Sequence, residues 1–166
     1  MIHYKMLKNL IFSIILLMSI AMSGQNRVVN MTQWNIDAYV SNCLSDLKID
    51  SCLIVLQPSD ILIYGEYQGI TIKNADKVFT VVVYDFIGYD EACLTIGHEL
   101  CHVRQFVTGS LQIDQNKKII FDGKGYKANS TSEYYNAHEV EARIQGLRLF
   151  AKYKRKVYSP PVARVF

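Results

Sequence analysis

The run His98-Glu99-Leu100-Cys101-His102 constrains the chain more than any other stretch. Two imidazoles with three residues between them face the same way on a helix, where residues four apart stack on one side. The flanking residues agree with a helix. Cys93, Ile96, Leu100, Val103 and Val107 form an apolar stripe at three- and four-residue spacing, and Glu91, Thr95, His98, His102 and Gln105 form a polar stripe opposite. Asp90 is placed as the N-cap and Gly109 as the stop. A fold that contains this helix buries one face and keeps the other for a ligand. Neutral imidazole nitrogens suit zinc, so His98 and His102 are the candidate metal ligands. Glu99 projects to the side of the pair, where a carboxylate serves as general base toward a water whose pKa the metal lowers.

Upstream, Met31, Trp34, Ala38, Tyr39, Leu44 and Leu47 recur near helical spacing, which predicts one amphipathic helix over residues 30–47. Three β-rich runs follow, Cys52 to Gln57, Ile61 to Lys73 and Lys77 to Phe86, separated by Pro58-Ser59-Asp60 and Asn74-Ala75-Asp76. Val78 to Tyr84 is dense in β-branched and aromatic residues and reads as a well-packed strand. After the motif helix, Leu111 to Ile113 and Lys118 to Phe121 predict a hairpin ended by Asp122 to Gly125, with a loop over 124–132. A last helix is expected from Asn136, whose side chain pairs with Glu139 in a capping box. Its apolar stripe is Val140, Ile144, Leu147 and Ala151, and Pro160-Pro161 ends it. The order predicts an α+β fold: N-terminal helix, small twisted sheet, motif helix, hairpin and C-terminal helix.

The first 24 residues carry Lys5 and Lys8, then an uncharged apolar stretch, then Ser23-Gly24. That order reads as a secretory signal peptide over 1–24. The apolar stretch is about 13 residues, short of the roughly 20 that a spanning helix needs, so no stable membrane insertion is expected once the leader is cut. Residues 25–166 are one domain's worth of chain, and the localisation expected is secreted, periplasmic or cell-envelope. Loss of Lys5 and Lys8 lowers the formal charge from +3 to +1. A nearly neutral chain has no electrostatic basis for binding nucleic acid. Lys152, Lys154, Arg155 and Lys156 form a basic run, read as the solvated C-terminal end of a helix, where cations suit the dipole. Export allows disulfides. Cys43 and Cys52 bracket a short loop and could pair. Cys93 and Cys101 are about 12 Å apart along one helix, beyond disulfide reach, and are read as buried small residues.

His98-Glu99-Leu100-Cys101-His102 followed by Glu139-Val140-Glu141-Ala142 resembles the gluzincin zinc metallopeptidases, in particular their minimal single-domain members. The likeness spans roughly residues 90–151. It implies a zincin-like fold, Zn2+ held by His98, His102 and Glu139, and hydrolysis of a peptide or protein substrate with Glu99 as base, by a monomer. Ala142 matches the residue that follows the ligand Glu by three in that group, which favours Glu139 over Glu141 as third ligand. Glu141 is turned about 200° round the helix from it. The Asp or Asn expected after Ala142, which would orient a motif histidine, is Arg143 here. Small Ala142 and Gly146 would let the last helix approach the motif helix. His138 points about 100° from Glu139 and is read as surface or supporting, not ligating. The resemblance also implies an oxyanion donor near the ligand helix, with Tyr126, Tyr134 and Tyr135 as candidates. Two other readings stand beside the peptidase: a catalytically inactive zincin-like zinc-binding interaction module, and a disulfide-stapled structural domain in which the histidines are incidental.

Overall fold

The computed structural model describes residues 25–61, 68–116, 118–126 and 136–158. The elements in chain order are β1 (Arg27–Asn30), α1 (Asp37–Leu47), β2 (Leu53–Ser59), β3 (Gly69–Ala75), β4 (Val78–Tyr84), α2 (Tyr89–Thr108), β5 (Leu111–Ile113), β6 (Ile119–Phe121), β7 (Lys124–Tyr126) and α3 (Ala137–Tyr158). The class is mixed α+β, as expected. The leader over 1–24 lies outside the described residues. No helix among the described residues is long and apolar enough to cross a membrane.

The main sheet has strand order β1-β2-β4-β3. β1, β2 and β4 run parallel, and β3 returns antiparallel to β4 at the edge. Leu53 to Leu56 of β2 and alternate residues of β4 are buried, the apolar density that a strand between two neighbours requires. The helix predicted from residue 30 is shorter, because its first part belongs elsewhere. Arg27 to Asn30 pair with Leu53 to Leu56 as β1. The Asn30 side chain then turns the chain: its Oδ1 accepts from the Thr32 backbone N–H at 3.0 Å, and its Nδ2 donates to the Trp34 carbonyl at 2.9 Å. An Asn that bonds to nearby backbone competes with helix, so Met31 and Trp34 shared helical spacing without sharing a helix.

The run predicted as one strand over 61–73 begins as strand only at Gly69, and residues 62–67 lie outside the described residues. It also continues into the expected turn as far as Ala75, with a register shift between Lys73 and Ala75. Lys77, at φ 55°, makes the turn into β4. β5 and β6 form the predicted hairpin, but Lys124 to Tyr126 add a third antiparallel strand where a loop was expected. Asp122 and Gly123, at φ 47° and 76°, have the positive-φ pair that a two-residue hairpin turn demands.

α2 is the central element, with β3 and β4 on one side and α1 and α3 on others. Gly88, extended, precedes its first turn, so Asp90 is not the cap. Gly109 at φ 76° ends it as predicted. Cys93, Ile96, Leu100 and Val103 are all fully buried in a core shared with Tyr39, Val40, Phe79 and Val81. The four cysteines are free, buried thiols, which corrects the Cys43–Cys52 pairing. Each serves the core as a small apolar group.

α3 buries a different face from the predicted one. Ile144 and Leu147 are 45% and 54% exposed and Ala151 is exposed, whereas His138, Ala142, Gly146 and Leu149 point inward. Where α3 meets the middle of α2, the small residues Ala142 and Gly146 mark the buried side, because the two helices cross almost backbone to backbone. A β-carbon on Gly146 would lie 2.9 Å from the His98 nitrogen and 3.1 Å from its Cα. On the other side of the crossing, a β-carbon on Gly97 would strike the Tyr39 hydroxyl. The basic end of α3 is tied down more than a solvated end would be: Lys152 pairs with Asp46 and Lys154 with Asp90, each at 2.7 Å, and Lys156 donates to Asn42 at 3.0 Å.

Candidate metal centre

The α2–α3 crossing brings the first turn of α3 against the middle of α2, so side chains 41 residues apart converge. Nε2 of His98 is 3.0 Å from Nε2 of His102, as expected for residues one turn apart that face one point. Glu139 closes the group, with Oε2 3.1 Å from His98 Nε2 and Oε1 3.4 Å from His102 Nε2. One donor atom from each of the three lies within 4.8 Å of the others, a set that could hold a metal ion. Tetrahedral donors about 2.0–2.1 Å from an ion stand roughly 3.3 Å from one another, so the spacing found here fits a tetrahedral site. Glu141 faces away: Oε1 pairs with Arg104 Nη1 at 3.2 Å and Oε2 accepts from Gln105 Nε2 at 2.9 Å.

With its carboxylate among the histidines, Glu139 does not reach back in the capping box expected with Asn136. Asn136 keeps only the helix-start contact, its carbonyl accepting from the Val140 N–H at 3.0 Å. His138 is not a surface residue. It is buried, and its Nε2 lies 3.4 Å from Glu139 Oε1.

Gln105 supplies the orienting partner that the Arg143 position lacks. It is 2% exposed, and its Oε1 accepts from His102 Nδ1 at 2.8 Å, which turns Nε2 toward the site. Its own amide is held because Nε2 donates to the His138 carbonyl at 3.0 Å and to Glu141. A fixed partner on the far ring nitrogen sets tautomer and ring orientation. Gln105 stands on the polar stripe three residues after His102, the helical spacing at which side chains meet, and that was the available signal.

Burial pushes the His102 pKa down, but the hydrogen bond with Glu139 and the charges of Glu99 and Glu139 outweigh it and raise the value to about 9. Burial likewise raises Glu139, yet hydrogen bonds with His102, His138 and His98 hold it well below the ordinary carboxylate range. Without a metal, the group is therefore a negative carboxylate sharing a proton with imidazole.

Glu99 is 5% exposed and turned toward the edge strand. Thr71 Oγ1 of β3 donates to its Oε2 at 2.8 Å. Gly69 allows the approach, since a β-carbon there would lie 2.6 Å from Thr95 Cγ2 and 3.0 Å from Glu99 Oε1. Neither β3 residue carried a sequence signal, because their role depends on which strand becomes the edge. A cleft of about 440 Å³ opens beside His98 and Glu99, between the start of β3, α2 and α3. Arg143 lines it. Of the expected oxyanion donors, Tyr134 and Tyr135 lie outside the described residues, and Tyr126 is described through its backbone in β7 alone.

No family model matches the chain, and no curated protein or solved structure is significantly similar to it.

Proposed function

We propose that the protein is an exported, zinc-dependent metallohydrolase that cleaves peptide bonds, with a zincin-like arrangement of the gluzincin kind. The observation that carries this reading is the meeting of His98, His102 and Glu139 from two helices, with the carboxylate of Glu99 held separately by Thr71 and lining a cleft beside them. Two imidazoles and one carboxylate are a donor set that suits zinc and leaves a fourth position open, the pattern of catalytic rather than structural sites. A zinc ion bound there supplies Lewis acidity that polarises a carbonyl and makes water easier to deprotonate.

The remaining work belongs to the chain. Glu99, fixed by Thr71 through Oε2, takes the proton from the attacking water and passes it to the leaving amine. Gln105 holds His102, and His138 holds Glu139, so the ligands need little reorganisation during the reaction.

The test pairs metal analysis with turnover. The purified protein should carry one zinc per chain, and His98→Ala with His102→Ala should carry none. A broad peptide library at neutral pH should show new termini that a chelator suppresses. Glu99→Gln should keep its zinc and lose about 10²–10⁴-fold in rate. Cleavage that persists undiminished in Glu99→Gln overturns the mechanism. Zinc binding without cleavage in the wild type supports the inactive interaction module instead.

A further inference from the structure

Glu139 and Glu141 leave α3 about 200° apart, yet both act on His102. Glu139 meets Nε2, with its Oε1 at 3.4 Å. Glu141 reaches the other ring nitrogen through Gln105, whose Nε2 is 2.9 Å from Glu141 Oε2 and whose Oε1 is 2.8 Å from His102 Nδ1. Beyond Glu141, at the surface, stands Arg104, with Nη1 3.2 Å from Glu141 Oε1. One imidazole is thus bracketed by two carboxylates of one helix, directly on one side and through an amide on the other.

The hydrogen bonds of this chain can run in one direction only. A guanidinium only donates and an ionised carboxylate only accepts. Gln105 must therefore donate to Glu141, and the same amide nitrogen donates to the His138 carbonyl at 3.0 Å. With both amide hydrogens engaged there, Gln105 offers His102 an acceptor, so Nδ1 carries a proton. The proton that a metal displaces is then the one on Nε2, the nitrogen 3.0 Å from His98 Nε2. A reversed amide would set its oxygen against a carboxylate and a carbonyl, and its nitrogen would require a bare Nδ1. The ring's one proton would then sit on Nε2, and its removal for a metal would leave an imidazolate. Of the two contacts that fix the amide, the one with Glu141 is charge-assisted and the stronger.

We propose that Glu141, anchored by Arg104, is a positioning residue that keeps the proton of His102 on Nδ1 through Gln105 and so sets the metal affinity of the centre. The inference rests on the metal-binding part of the proposed function and not on peptide cleavage. An ion pair that served only to tie α2 to α3 would do so with either charge on either helix. The direction of the hydrogen bonds separates the two roles.

The experiment exchanges the charges, Arg104→Glu with Glu141→Lys, which keeps an ion pair between the helices and reverses the direction of the chain. The ammonium then donates to Gln105, turns the amide over and presents its nitrogen to His102. Competition with a chromogenic chelator should show zinc affinity about 10–100-fold below wild type, while the chelated proteins melt at the same temperature. Adding Gln105→Glu to the exchanged pair gives both neighbours an oxygen and should restore most of the affinity. Charge alone would move affinity in the same sense, so the proton is located directly, by nitrogen NMR of isotope-labelled, chelated protein at neutral pH. Nδ1 of His102 should carry a proton in wild type and in the triple variant, and be bare in the exchanged pair. Wild-type affinity in the exchanged pair, or a proton that stays on Nδ1 there, overturns the proposal. So does a loss that Gln105→Glu fails to restore, since packing between α2 and α3 would then be its cause. If the exchanged pair does not fold, Glu141→Ala takes its place; it should lose up to about 10-fold in affinity, and unchanged affinity overturns the proposal equally. If the wild type binds no zinc, the metal reading falls, and the place of the Nδ1 proton decides the Gln105 assignment by itself. Zinc affinity that follows that proton in a protein without cleavage keeps this assignment and sinks the hydrolase reading.

Discussion

A buried glutamine is an economical way to aim a histidine, because its amide can accept from the ring and donate elsewhere at once. Gln105 does both, linking His102 to the carbonyl of His138 and to Glu141. Gln105→Leu should therefore lower zinc affinity by about 10–100-fold while leaving the ligand count unchanged, measured by competition with a chromogenic chelator. Glu139→Ala should weaken zinc far more than Glu141→Ala, whose loss reaches the site only through Gln105. The reverse order would put the wrong carboxylate in the metal site. The proton on His102 gives a further handle, and its sign follows from the raised pKa. In chelated protein the His102–Glu139 contact contributes fully below about pH 6.5 and is lost as pH rises through about 9. Chelated protein should thus melt at lower temperature at pH 9 than at pH 6.5. Zinc affinity should move the opposite way, since binding must expel that proton.

At the scale of elements, the close crossing of α2 and α3 decides whether Glu139 reaches the histidines. Gly146→Ala gains up to about 1 kcal/mol in helix propensity. The added methyl would meet the backbone of His98, which cannot swing aside, and such overpacking costs about 1–3 kcal/mol. We expect net destabilisation and weakened zinc binding together. Ile144→Ala and Leu147→Ala should each change stability by no more than about 0.5 kcal/mol, as exposed positions do. A loss of 2–5 kcal/mol for Ile144→Ala, the range of core truncations, would mean that the face of α3 is wrongly assigned. The sequence pattern pointed to the opposite face because apolar spacing counts large residues, whereas this interface is built on Ala142 and Gly146. On α2, large buried residues and polar ligands lie on opposite stripes, and there the pattern and the structure agree. The contrast is physical. Periodicity reports which side sheds water, and it is silent where two backbones come close enough that side chains must be absent.

At the scale of the whole molecule, the motif could be read along the chain because it depends on spacing within one helix, while the third carboxylate was picked out only by the resemblance that Glu139 to Ala142 carries. The sheet could not. β1 is four residues long and pairs in parallel with a strand beyond α1, a non-local partnership that leaves no local mark. The edge position of β3, which brings Thr71 and Gly69 to Glu99, follows from that same topology. With His98 and His102 on α2 and Glu139 on α3, a metal bound by the group would cross-link two elements packed on different parts of the core. Binding to the folded chain alone stabilises by RT ln(1 + [L]/Kd), about 2.7 kcal/mol when free zinc is 100 times Kd. In a domain of this size a kilocalorie moves Tm by roughly 2–4 °C, so chelation should lower Tm by about 5–10 °C. His98→Ala should melt at a temperature that neither zinc nor chelator alters. If chelator lowers Tm equally in wild type and in His98→Ala, the stabilising ion sits elsewhere, and the junction of α2 and α3 is held by packing at Gly97 and Gly146 and by the Arg104–Glu141, Gln105–Glu141 and Lys154–Asp90 contacts.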